Sequence, residues 1–182
     1  MRWDRLFDDL EAQAEADEAR ARVAEVADRV RRERAQLDLH TRLLAHVGAG
    51  ALTLRLPGRA LTGGLADVGP DWVLLEPAAD RQVLVALAAV RAVTGLGRGA
   101  RTPSVVAKRF GLGAALRAVS RDRVPVELAD LEGRQATGTI DVVGADHLEL
   151  AEHAPDEPRR RDNVTGSVLV PFAALGTVRR LA

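Results

Sequence analysis

The chain has 182 residues, 26 basic and 26 acidic, with 47% hydrophobic residues, no cysteine and no tyrosine. That hydrophobic share excludes wholesale disorder, and the lack of cysteine excludes a disulfide framework or a thiolate metal site. Balanced charge removes any global pull toward nucleic acid or membrane, and no run approaches the roughly 20 apolar residues of a spanning helix. Charged residues also interrupt Met1 to Leu10, unlike a signal peptide, so the expectation is a soluble cytoplasmic protein.

Residues 3 to 36 lack Gly and Pro and are rich in Ala, Glu and Arg, which predicts one long helix. Trp3, Leu6, Phe7 and Leu10 fall on one stripe, and Val23, Val26 and Val30 continue it at helical spacing. The stripe either docks on the chain's own β-structure or pairs with a partner. A helical turn near Thr41 to Val47 precedes five predicted strands, at 51–56, 62–68, 72–76, 83–87 and 91–94. Gly95 to Thr102 reads as a connector, and 103–120 as helical pieces broken near Gly111 and Gly113. Five more strands follow, at 124–128, 137–143, 147–151, 168–170 and 177–180.

The second set of strands repeats the first. Gly58, Arg59, Thr62, Gly63, Val68, Gly69, Asp71 and Leu75 recur in register as Gly133, Arg134, Thr137, Gly138, Val143, Gly144, Asp146 and Leu150. Val83-Leu84-Val85 returns as Val168-Leu169-Val170, with Val93 matched by Val178. Self-similarity at a fixed offset means one supersecondary unit used twice. The second copy carries about ten extra residues between its third and fourth strands, rich in Pro, Arg, Asp and Gly, which predicts an exposed loop.

Gly63-Gly64-Leu65-Ala66-Asp67-Val68-Gly69-Pro70-Asp71, its counterpart Gly138 to Asp146, and the ending Val168-Leu169-Val170-Pro171 resemble an Sm-like small β-barrel. The resemblance implies an α+β fold: a long N-terminal helix (1–36), then two repeated five-stranded Sm-like antiparallel β-barrels (37–96 and 112–182) joined by a connector (97–111). It also points to the loop after strand two, Gly69 to Trp72 and Gly144 to His147, where RNA-binding relatives hold a nucleotide. The Asn usual in that loop is absent here, and no Arg-Gly pair follows strand four. The whole chain, from Met1-Arg2-Trp3-Asp4 onward, also resembles small actinobacterial proteins, some carrying a Fis-family transcriptional regulator label. Fis-type units end in a helix-turn-helix, whereas this chain ends in predicted strands.

No nucleophile elbow, phosphate loop, dinucleotide fingerprint or zinc-protease motif occurs, so no enzyme, cofactor or metal is expected. His147, Glu149 and His153 share a predicted strand face but read as solvated surface. If Val73 and Leu75 point inward, Trp72 and Leu74 point outward, where the second copy has His147 and Glu149. Something should cover that apolar pair: the N-terminal helix, the neighbouring repeat, or a partner. The leading expectation is a non-enzymatic adaptor acting by protein–protein contact, including self-association, through Trp3, Phe7, Leu10, Trp72, Leu74 and exposed strand edges. The alternative is a regulator binding RNA or DNA through Arg98, Arg101, Lys108 and Arg109 of the connector and Arg159, Arg160 and Arg161 of the long loop.

Overall fold

The structure is a computed structural model that describes residues 2–78, 81–102 and 110–181. The side chains of α1 are described at position 13 and from 18 onward. The chain divides into two compact units, 1–38 and 39–182. The first is the predicted helix, α1 (Arg2–Ala35), uninterrupted because nothing in it breaks a helix. Ion pairs at i, i+4 spacing, Glu18–Arg22 and Glu25–Arg29, run along its surface, and Val23 and Val26 are exposed.

The second unit holds α2 (Leu39–His46), β1 (Ala51–Leu56), β2 (Arg59–Val68), β3 (Trp72–Ala78), β4 (Arg81–Ala86) and β5 (Ala92–Thr94). The second copy follows as α3 (Leu112–Arg121), β6 (Val126–Asp130), β7 (Gln135–Val143), β8 (His147–Glu152), β9 (Gly166–Pro171) and β10 (Leu175–Arg180). Ten strands are thus found where ten were predicted, with most boundaries shifted by two residues or fewer.

The expected pair of closed barrels is not formed. The strands make one open, antiparallel sheet of ten, in the order β5-β1-β2-β3-β4-β10-β6-β7-β8-β9. Each copy contributes five strands in the same internal order, but neither closes on itself. Closure would require β4 to pair with β5. Instead β4 pairs with β10, so Val83, Leu84 and Val85 face Arg179, Val178 and Thr177 of the other copy. The backbone groups of β4 are satisfied across the repeat boundary, which joins the two halves into one sheet.

The recurring glycines have backbone reasons. Gly58 and Gly133 begin their hairpins at φ of 69° and 85°, in the left-handed region. A Cβ at Gly63 would run into the Glu76 carbonyl, and one at Gly138 into that of Ala151. Just beyond each, the register shifts at the same place, between Leu65 and Asp67 and between Ile140 and Val142. The repeat is therefore a repeat of bends as well as of strands.

Two cores result. One gathers Leu43, Leu54, Val73, Leu75, Val83 and Val85 from the first copy. The other gathers Leu116, Ile140, Leu148 and Val178 from the second, together with Trp72, Leu84 and Ala86 from the first. Strands β3 and β4 are thus apolar on both faces, with alternate residues serving opposite cores. Among the described residues no helix is long and apolar enough to cross a membrane.

Candidate interaction surface at the sheet edges

The junction between the copies shows how one repeat receives another. Trp72 is 8% exposed and packs with Leu112 and Leu116 of α3. Its indole Nε1 donates to the Phe110 carbonyl at 2.8 Å, and the neighbouring Asp71 carboxylate accepts the Leu112 N–H at 2.7 Å. A carboxylate at the first turn of a helix satisfies one of its orphan donors and complements the helix dipole. Gly111 begins α3 with no side-chain cap of its own, so Asp71 supplies from a distant loop what the local sequence lacks. The outward pair Trp72 and Leu74 is accordingly covered by the second copy: Leu74 is half-buried against the same core.

In the second copy the same loop has the same backbone but different occupants. Gly69 N–H donates to the Trp72 carbonyl and Gly144 N–H to that of His147, both at 2.9 Å. Asp146, the counterpart of Asp71, is exposed and meets the His147 ring, whose Nδ1 lies 2.8 Å from its Oδ1. That hydrogen bond, reinforced by the charge of His147, lowers the Asp146 carboxyl below the ordinary aspartate value despite opposing desolvation.

Counterpart residues around the strand edges differ most in burial. Leu84 is 4% exposed in the junction, whereas Leu169, in the same Val-Leu-Val run, is 55% exposed on β9. Val178 is buried on β10, and its counterpart Val93 lies half-buried on β5. Strands β9 and β5 are the two ends of the sheet, so each has one edge without a strand neighbour among the described residues. Sequence reading singled out strand edges in general but not Leu169 and Val93. The signal was present in the repeated Val-Leu-Val run and the matched valines.

The remaining predicted residues are scattered. Trp3, Phe7 and Leu10 lie on α1 and their side chains fall outside the described residues, as do Lys108 and Arg109 entirely. Arg98 and Arg101 are exposed, the latter with its backbone N–H donated to the Thr41 carbonyl. Arg159 is engaged: its Nε donates to Asp141 at 2.7 Å, and its Nη2 reaches the other carboxylate oxygen. The hydrogen bond and charge of Asp141 raise the Arg159 pKa. This bidentate pair fastens the long loop to β7 and occupies the guanidinium expected to meet phosphate, while Arg160 and Arg161 stay exposed. His153 is not surface as expected: it is 5% exposed, bonded to Thr139 Oγ1 and the Ala154 carbonyl, both at 2.8 Å. Among the described residues no group of three His, Cys, Asp or Glu is placed to hold a metal ion. No protein-family model, curated protein or solved structure matches the chain.

Proposed function

We propose that this chain is a non-enzymatic adaptor that works by strand addition at the two ends of its sheet, and that its first partner is a second copy of itself. The observation that carries this reading is the β4–β10 junction, in which one copy of the repeat already receives the other through three registered residue pairs. The ends β9 and β5 are the counterparts of those two strands. An edge presents unpaired N–H and C=O groups in a row, a template for another strand. Applying the internal register to them places Leu169 opposite Val93, Val168 opposite Thr94 and Val170 opposite Ala92 of the next molecule. Leu169 then becomes buried as Leu84 is, and β5, three residues long, is as long as the junction requires. The helix α1, a compact unit of its own, is a second contact element in this reading.

The test uses the absence of native cysteine. Leu169→Cys and Val93→Cys proteins are mixed under mild oxidation, since directly opposed strand residues bring their Cβ atoms to about 4.5–5.5 Å. A disulfide between the two variants, formed faster than either homodisulfide, is the expected result. Monomeric behaviour at every concentration in sedimentation equilibrium, with no mixed disulfide, overturns the proposal.

A further inference from the structure

Beside the seam where β4 meets β10 lies a cavity of about 330 Å³ with walls from both copies. The first copy contributes Arg59 and Arg81, and the second contributes Arg179 and Glu127. In the strand register Arg179 stands between Val83 of β4 and Glu127 of β6. Its Nη2 donates to Glu127 Oε2 at 2.9 Å, which neutralises one charge. Arg59 donates to the Thr177 hydroxyl, a neutral acceptor, and makes no ion pair among the described residues. Arg81 is exposed and makes no ion pair among the described residues.

Among the described residues, three guanidinium groups therefore surround the cavity against one carboxylate, and Arg179 Nε is buried with no hydrogen-bond partner. A buried donor without an acceptor and an excess of like charge are both unfavourable unless an anion answers them. The repeat accounts for one member of this cluster, Arg59, which recurs as Arg134. The counterparts of Arg179, Arg81 and Glu127 are Thr94, Gly166 and Thr53, so these three charges are particular to the seam.

We infer that this cavity binds a small phosphorylated molecule. Guanidinium forks match phosphate oxygens in bidentate geometry, and the volume lies within the range of small-ligand sites. Leu61 and Val83 give the less polar part of such a ligand an apolar wall. The site is built wholly from one chain and stands whether or not the sheet ends pair.

Calorimetric titration with inorganic pyrophosphate, against sodium chloride at matched ionic strength, tests it. Saturable binding is expected, weakened about tenfold or more in Arg81→Gln, the scale of one charge-assisted contact. Arg81 is exposed and makes no ion pair among the described residues, so that variant leaves the fold intact, and an unchanged melting temperature checks this. No heat beyond the salt control, or equal affinity in Arg81→Gln, overturns the inference. A short single-stranded RNA is the second arm. RNA binding that Arg81→Gln weakens and pyrophosphate does not displace assigns the arginines to nucleic acid and also overturns it.

Discussion

The Asp71 carboxylate accepts the backbone N–H of Leu112 at 2.7 Å, so a loop of the first repeat caps the helix that begins the second. The next residue, Trp72, holds the residue ahead of that helix through the Phe110 carbonyl. Two adjacent side chains thus set where α3 starts and how it lies on the sheet. Asp71→Ala is expected to cost about 1 kcal/mol, the usual worth of a cap. Thermal unfolding checks this, with a fall of about 2–4 °C expected for a chain of this size. Asp71→Asn should retain most of the stability, because an amide oxygen still accepts the N–H.

Trp72→Ala empties part of the second core and leaves the Phe110 carbonyl without its donor. A loss of about 3–5 kcal/mol in urea unfolding is expected. Trp72→Phe keeps most of the volume and should lose clearly less. Equal losses for both would place the indole N–H, not the packing, at the centre of the junction.

Leu84 and Leu169 provide an internal control, since the repeat gives them the same neighbours in sequence. Leu84→Ala should cost about 2–5 kcal/mol, as for a buried leucine. Leu169→Ala should change the stability of the dilute protein by no more than about 0.5 kcal/mol. If Leu169→Ala proved as costly as Leu84→Ala in the dilute monomer, β9 would be covered within one chain and the strand-addition proposal would lose its basis.

Gly63 and Gly64 are adjacent but face different surroundings. A methyl at Gly63 meets backbone of Glu76 and Pro77, which cannot move aside as a side chain can, while Gly64 has nothing within 4 Å. Gly63→Ala should therefore destabilise by about 1–3 kcal/mol, as overpacking does. Gly64→Ala should be tolerated, and denaturant unfolding of the two variants separates them.

The His147 bond to Asp146 lowers the carboxyl's pKa, so this aspartate favours the folded state above its unfolded pKa, near 3.8. That contribution is lost as the pH falls through the depressed folded value. Carboxyl-carbon NMR titration should place Asp146 below 3.8, and His147→Gln should move it back upward. An unshifted Asp146 in the wild-type protein would mean the pair does not persist in solution.

Much was legible in the residues themselves. The unbroken Ala, Glu and Arg composition of 2–35 gives a helix because nothing in it interrupts the hydrogen-bond ladder. The recurring Gly58 and Gly63 and their partners Gly133 and Gly138 marked the same turn and the same close approach twice, because each answers a local backbone demand. Alternation also placed Val73 and Leu75 on one face and Trp72 and Leu74 on the other, since the strand period is two.

What the sequence could not decide is which strand each edge would choose. The backbone groups of β4 would be satisfied equally by β5 of their own copy or by β10 of the other, and hydrogen bonds between main chains carry no sequence label. Tertiary structure settled the choice for β10, turning two expected barrels into one open sheet and burying Trp72 and Leu84 between the copies. The same pairing brought Arg59, Arg81 and Arg179 around one cavity from positions far apart along the chain. Periodicity reports the neighbours that a strand makes within itself, and only folding in three dimensions assigns those across its edge.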